Sequence, residues 1–120
     1  MDKKILLVDD AAFMRMLIRD ALTKNGYTQI LEAADGEIAV QVYDQEQPDL
    51  VIMDITMPNK TGIEALKDIK AKYPAAKVIM CSAMGQEAMV VEAIRLGALD
   101  FIVKPFKADR ILQTVSKILG

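Results

Sequence analysis

The sequence contains no histidine and only one cysteine, Cys81. Without histidine, this chain cannot itself supply an imidazole as a base, a metal ligand or a phosphohistidine. A single cysteine excludes an internal disulfide, and because Cys81 ends an apolar run, we expect its thiol to be buried and inert. A metal site in this chain would therefore use oxygen ligands.

Long hydrophobic runs and basic clusters are absent as well. The apolar runs are strand-length, well short of the roughly 20 residues that a membrane span needs, and residues 1–4 lead into a strand rather than a signal peptide. We therefore expect a cytoplasmic protein. The formal net charge of −2 gives no general attraction to nucleic acid or to an anionic membrane, so we expect neither as a partner.

The sequence also lacks internal repeats, low-complexity tracts and linkers rich in proline, glycine or serine. It has 120 residues, of which 52% are apolar and 27% are charged. This length is enough to bury a core without help from disulfides or metals. We therefore expect one globular domain over residues 1–120.

Five apolar segments are typical of β-strands, and each is followed by a segment with helical periodicity. We predict strands at 4–8, 29–33, 50–54, 77–81 and 101–103. We predict helices at 12–24, 37–45, 63–72, 86–96 and 108–119. Such repeated βα units, joined by right-handed crossovers, indicate a doubly wound α/β domain, (βα)5, with helices on both faces of a parallel five-stranded sheet.

The apolar periodicity also predicts which side of each helix faces the core. The predicted inward residues are Phe13, Leu17 and Ala21, then Ile38, Ala39 and Val42, then Ile63, Leu66 and Ile69, and finally Ile111, Val115 and Ile118. The helix at 86–96 is apolar over a wider arc than one core stripe needs. This pattern is compatible with an exposed edge, although packing against the core would also explain each of these residues. Glu32 indicates that the second strand lies at an edge of the sheet.

Polar side chains follow four of the predicted strands at the points where the strands end. They are Asp9, Asp10, Asp54, Ser82 and Lys104. Because parallel strands end at the same edge of a sheet, and because ligands of α/β sheets bind at that edge, we expect these five side chains to form one site.

The residue types at this edge indicate phosphoryl transfer to an aspartate. Three nearby carboxylates repel one another and are tolerated mainly around a cation, and an all-oxygen ligand set favours Mg²⁺. The ammonium of Lys104 and the hydroxyl of Ser82 are suited to phosphate oxygens. In this scheme Asp54 is the nucleophile, and the metal and Lys104 neutralise the transferring group.

At these residues the chain strongly resembles the receiver domain of bacterial two-component response regulators, over essentially all 120 residues. The resemblance rests on Leu7-Val8-Asp9-Asp10 with Met14-Arg15, on Asp54 with Met57-Pro58 and Gly62, on Ser82-Ala83, and on Val103-Lys104-Pro105-Phe106. The segments 9–15 and 81–85 are most similar to the stand-alone chemotaxis regulators of this family. The resemblance implies a flavodoxin-like sheet with strand order 2-1-3-4-5.

The resemblance further implies that Asp54 is the phosphoacceptor and that the chain catalyses only its own phosphorylation and dephosphorylation. It implies a magnesium site formed by three carboxylates and one backbone carbonyl, those of Asp9, Asp10, Asp54 and Thr56. Lys104 would pair with the acidic site, and the bond between Lys104 and Pro105 would be cis. The phosphoryl group would come from a CheA-like sensor histidine kinase, and a phosphatase could remove it.

In the family, a switch couples the phosphoryl group to the surface, and here it would consist of Ser82 and Phe101. The hydroxyl of Ser82 would move toward the phosphate while Phe101 turns inward, at a position where chemotaxis regulators often have tyrosine. Lys60 departs from the family, which usually has an apolar residue there. Thr56 and Met84 occupy positions that tune how fast the phosphoryl group is lost.

The output surface implied by the resemblance consists of the helix at 86–96, Phe101 and the last helix with Lys107 and Arg110. After phosphorylation this surface would bind a FliM-like flagellar motor switch protein, with the chain acting as a monomer. The alternatives within the family are a phosphorelay or phosphate-sink receiver and a receiver fragment of a longer regulator.

Two alternatives come from other classes. A haloacid-dehalogenase-type phosphatase would carry Asp-x-Asp after its first strand, whereas Asp9 and Asp10 are adjacent. A flavodoxin-like electron carrier would bind a flavin phosphate at the first loop, and the acidic residues 9–10 would repel that phosphate. The sequence argues against both.

Overall fold

The computed structural model describes residues 3–120, and within them five strands alternate with five helices. Residues 1 and 2 lie outside the described residues. They belong to the N-terminal segment that we interpreted as leading into a strand and not as a signal peptide. The strands are β1 (Lys4–Val8), β2 (Gln29–Ala33), β3 (Leu50–Asp54), β4 (Val78–Ser82) and β5 (Asp100–Val103). The helices are α1 (Ala12–Thr23), α2 (Gly36–Glu46), α3 (Gly62–Lys72), α4 (Glu87–Arg95) and α5 (Ala108–Leu119).

The five strands form one sheet in the order β2-β1-β3-β4-β5, and each neighbouring pair is parallel. This arrangement confirms the predicted doubly wound α/β fold and the edge position of β2. Every residue of β3 and β4 is buried, as expected of strands covered by helices on both faces, whereas β2 carries the partly exposed Glu32. The strand order places β3, which ends in Asp54, at the centre of the sheet.

The core consists of two apolar layers, one on each face of the sheet. Successive residues of a strand point to opposite faces, so Ile5 and Leu7 pack against α1 and α5, while Leu6 and Val8 pack against α2, α3 and α4. No helix in the described part of the chain is both long enough and apolar enough to cross a membrane.

Helix α1 differs from the prediction in the side that it buries. Its core stripe consists of Ile18, Ala21 and Leu22, whereas Phe13 and Leu17 are 65% and 43% exposed. Successive residues of a helix are rotated by about 100°, so Leu17 lies about 100° and Phe13 about 140° from Ile18 around the helix axis. Both side chains therefore point toward solvent. The prediction that Phe13 and Leu17 face the core was therefore wrong.

A similar correction applies to α2. Ala39 and Tyr43 are buried, while Ile38, which we predicted to point inward, is 39% exposed. The buried stripe of α2 contains Ala39 and Tyr43, which are four residues apart. Ile38 lies at the border of this stripe and is therefore only partly covered by the core. In α3 and α5 the predicted stripes are confirmed, since Leu66, Ile69, Ile111 and Val115 are buried.

The element boundaries agree with the prediction within one or two residues. Strand β4 ends at Ser82 rather than at residue 81, because the amide of Lys104 donates to the carbonyl of Ser82 at 2.7 Å and extends the ladder with β5. Helix α4 begins at Glu87 rather than Gln86. Cys81 is buried as predicted, and this burial raises the pKa of its thiol to about 12.

Candidate functional site

Three aspartates form a cluster at the edge of the sheet where the parallel strands end. Asp9 and Asp10 follow β1, Asp54 ends the neighbouring strand β3, and one carboxylate oxygen of each lies within 4.8 Å of the others. Asp9 and Asp54 are buried, with 4% and 8% of their surfaces exposed, and Asp10 is exposed. The structure thus brings together the three acidic residues that the sequence predicts as metal ligands.

Lys104 contacts this cluster from the other side of β3. Its Nζ lies 3.0 Å from Oδ2 of Asp9 and 3.2 Å from Oδ2 of Asp54. Burial alone would lower the pKa of the Lys104 ammonium, but the hydrogen bond to Asp9 and the charges of both aspartates raise it above its usual value. The peptide bond between Lys104 and Pro105 is cis.

The pKa of Asp54 is raised above its usual range. Burial is the main cause, the ammonium of Lys104 opposes it, and the carboxylate of Asp9 adds to it. The ammonium of Lys104 therefore does not fully offset the cost of burying the Asp54 carboxylate beside Asp9. A divalent cation with a preference for oxygen ligands fits this donor set.

The loop after β1 is fixed by hydrogen bonds to Asp9. Its Oδ1 accepts from the amide of Ala11 at 2.8 Å, and its backbone carbonyl accepts from Nη1 of Arg15. Arg15 is held in turn by Glu32 on β2, where Nε lies 2.7 Å from Oε1. Burial alone would raise the pKa of Glu32, but the hydrogen bonds and charges of Arg15 and Arg19 lower it. The sequence gives Arg15 only as part of a motif and shows no sign of this link.

The loop after β3 is packed tightly against the end of that strand. Oδ1 of Asp54 accepts from the amide of Ile55 at 2.9 Å, and the amide of Gly62 donates to the carbonyl of Ile55 at 2.7 Å. A Cβ atom on Gly62 would lie 2.0 Å from the carbonyl oxygen of Asp54. Glycine at position 62 therefore permits the close approach of α3 to the acidic site.

The remaining part of this loop contains Thr56 and Lys60. Thr56 is exposed two residues beyond β3, at the same edge of the sheet as the acids. Lys60 is held by polar contacts: its ammonium pairs with Asp68, and its carbonyl accepts from the amide of Gly36 at 3.1 Å.

The two predicted switch residues lie in different places. Ser82 is 2% exposed at the end of β4, beside the strand that carries Asp54. Phe101 is 37% exposed and lies away from the acids, in an open groove between β5 and α4. The groove is lined by Glu87, Val90, Val91, Ile94, Arg95 and Phe101.

A residue that the sequence analysis missed links two of these loops. Gln86 accepts a hydrogen bond from the amide of Ala83 and donates one to the hydroxyl of Thr56. Glutamine is a poor residue for the N-terminal cap of a helix, where Ser, Thr, Asp and Asn are preferred. That mismatch is the only local sequence signal of its role.

Comparisons with known proteins agree with this geometry. The family model of the response regulator receiver domain matches residues 5–116. The chemotaxis protein CheY of Bacillus subtilis (strain 168) is 58% identical over 120 residues, the whole of both chains, and CheY of Thermotoga maritima is 54% identical over 118 residues, 98% of each. The solved receiver domain of NtrX from Brucella abortus is 36% identical with a TM-score of 0.91, covering 97% of this chain and 98% of that one. The chain therefore belongs to the response regulator receiver family of two-component systems, and it is similar to CheY chemotaxis proteins over its full length.

Proposed function

We propose that this protein is a signalling phosphoacceptor that takes a phosphoryl group from a CheA-like histidine kinase onto Asp54 in a Mg²⁺-dependent reaction. The observation that supports this most strongly is the cluster of three carboxylates within 4.8 Å of one another, with the ammonium of Lys104 at 3.2 Å from Asp54. Receiver domains bind Mg²⁺ at an acidic pocket of this kind.

The position of β3 in the sheet favours Asp54 as the nucleophile. Asp9 and Asp10 approach it from β1 on one side, and Ser82 and Lys104 approach it from β4 and β5 on the other. A phosphoryl group on Asp54 is therefore reached from both sides by groups that bind its oxygens or hold its counter-ion.

In the transfer step, a carboxylate oxygen of Asp54 forms a bond to phosphorus while the phosphorus–nitrogen bond of the kinase phosphohistidine breaks. The imidazole nitrogen keeps the electron pair of that bond and takes up a proton from solvent. Lys104 pairs with a phosphoryl oxygen, and the hydroxyl of Ser82 donates to another. Mg²⁺, held by Asp9, Asp10, Asp54 and the carbonyl of Thr56, would supply the remaining neutralising charge.

The first test uses a small acyl phosphate in place of the kinase. We expect the intact mass of the wild-type protein to rise by one phosphoryl group in the presence of Mg²⁺, and not when EDTA removes the metal. Borohydride reduction and peptide mapping should place the group at residue 54. A gain that survives metal removal, or a group at another residue, would contradict the proposal.

We further propose that the groove between α4 and β5 is the output surface and that it binds a FliM-like flagellar motor switch protein. Val91 and Ile94 are 50% and 44% exposed on α4, and Phe101 continues the apolar surface. Arg110 supports the groove, since its Nη2 donates to the carbonyl of Phe101 at 2.9 Å. Exposed apolar surface of this kind is typical of protein-binding sites.

For the output surface we predict that Phe101→Ala weakens binding of the phosphorylated protein to the motor switch protein by roughly tenfold, because loss of a central aromatic anchor typically costs more than about 1 kcal/mol. The measurement is titration of the phosphorylated variant against the motor protein. Phe13→Ala, which removes an exposed phenylalanine from α1, is the matched control and should bind as the wild type does. Unchanged binding of Phe101→Ala would exclude this surface. Transfer of the phosphoryl group to a second histidine protein, without motor binding, would favour the phosphorelay alternative.

A further inference from the structure

Gln86 occupies the N-terminal cap position of α4 but does not cap the helix with its side chain. Its carboxamide turns back toward the sheet instead. Oε1 accepts a hydrogen bond from the backbone amide of Ala83 at 2.6 Å, and Nε2 donates to Oγ1 of Thr56 at 2.8 Å. One half-buried side chain thus joins the loop after β3 to the loop after β4.

The two residues that Gln86 contacts lie next to the predicted chemistry. Thr56 follows Asp54 by two residues, and Ala83 directly follows Ser82. The backbone amide of Ala83 is therefore a hydrogen-bond donor at the tip of β4, beside the strand that carries Asp54. In this structure that donor is already engaged by Gln86.

We propose that Gln86 is a positioning residue that holds the loop after β4 in its resting arrangement and competes with a phosphoryl group on Asp54 for the Ala83 amide. This inference rests on the proposed phosphorylation of Asp54. A phosphoryl group at Asp54 introduces anionic oxygens that are stronger acceptors than a neutral carboxamide. For the Ala83 amide to turn to such an oxygen, its bond to Gln86 must break.

This competition has a thermodynamic consequence. A bond made only in the resting state favours that state, so removing the bond shifts the equilibrium toward the phosphorylated arrangement. The net contribution of one such hydrogen bond corresponds to a factor of roughly 3 to 10. Gln86 would therefore set how readily the protein adopts its active state.

The test measures the affinity of beryllofluoride, a phosphoryl mimic that binds to the acceptor carboxylate, by NMR titration of the amide signals with Mg²⁺ at a fixed concentration. Gln86→Ala removes the acceptor for Ala83, and we expect it to bind the mimic roughly 3 to 10 times more tightly than the wild type. Gln86→Glu keeps an acceptor and makes it anionic, so we expect weaker binding. A purely structural role would shift both variants in the same direction.

Two further variants sharpen the test. Thr56→Val removes the second anchor of Gln86, and we expect this variant to bind the mimic more tightly than the wild type. In the double variant with Gln86→Ala it should cause no further tightening, because the side chain that Thr56 anchors is already gone. Gln41→Ala, which truncates an exposed glutamine of α2, should bind as the wild type does. Equal or weaker binding by Gln86→Ala overturns the inference. No binding of the mimic by the wild type overturns the proposed function, and this inference with it.

Discussion

A protein that carries Asp54→Asn is expected to gain no phosphoryl group, either from an acyl phosphate or from a histidine kinase. The substitution keeps the size of the side chain but replaces an anionic oxygen nucleophile by a neutral amide. It also removes the carboxylate that contacts Lys104 at 3.2 Å and one of the three acidic groups of the candidate metal site. Intact mass measured after incubation with Mg²⁺ and acyl phosphate gives the result directly, because the unmodified and modified chains are resolved.

The Asp54→Asn variant should remain folded, which separates lost chemistry from lost structure. Because burial raises the pKa of Asp54, its ionised form is destabilising near neutral pH, so we expect the variant to melt no lower than the wild type. This advantage should shrink as the pH falls and the wild-type carboxyl group takes up a proton. Asp109→Asn, at an exposed position in the first turn of α5, is the matched control and should be phosphorylated normally. A phosphoryl group on the Asp54→Asn chain would contradict the assignment of Asp54.

The sequence predicts that the acidic residues and Lys104 lie close together, because parallel strands all end at one edge of the sheet. Once the alternation of strands and helices is recognised, Asp9, Asp54 and Lys104 must meet there, although they are far apart along the chain. The contacts of 3.0 Å and 3.2 Å between Lys104 and the two aspartates agree with this reasoning. The order of the strands came from the family resemblance rather than from periodicity.

Periodicity is less informative about which way a helix is turned on the sheet. Phe13, Leu17 and Ile38 have the spacing of core residues, yet all three are exposed. A helix with apolar residues over a wide arc can bury more than one stripe, and the choice depends on the neighbouring elements. The wide apolar arc of α4 is divided between core and surface, since Val90 and Ala93 are buried whereas Val91 and Ile94 are exposed.

Hydrogen bonds between side chains that are distant in the sequence have no sequence pattern. Gln86 and Thr56 are 30 residues apart, and Arg15 and Glu32 are 17 residues apart. Neither pair can be recognised until the sheet has brought the elements that carry them together. The polar links that fix the site are therefore visible only in the structure, whereas the residues that carry the proposed chemistry are visible in the sequence.

The second large effect is expected for Gly62→Ala, which should destabilise the fold by about 3 kcal/mol and strongly slow phosphorylation of Asp54. Alanine is normally favoured over glycine within a helix, so helix propensity alone would predict a gain in stability. Here the added Cβ would lie 2.0 Å from the carbonyl oxygen of Asp54 and 3.0 Å from Cα of Ile55. Both are backbone atoms, so no flexible side chain can move aside.

Relief of this clash requires α3 or the end of β3 to shift, and a shift at the end of β3 moves Asp54 relative to Lys104. The free energy of unfolding is measured by denaturant titration, and the phosphorylation rate by intact mass with acyl phosphate and Mg²⁺. Gly26→Ala is the control, because its Cβ would meet no atom within 4 Å and its cost arises only from the positive φ of 93°. That variant should lose about 1 to 2 kcal/mol and keep the wild-type phosphorylation rate. If Gly62→Ala matched the wild type in both measurements, the close packing of α3 against Asp54 could not be what positions the acceptor.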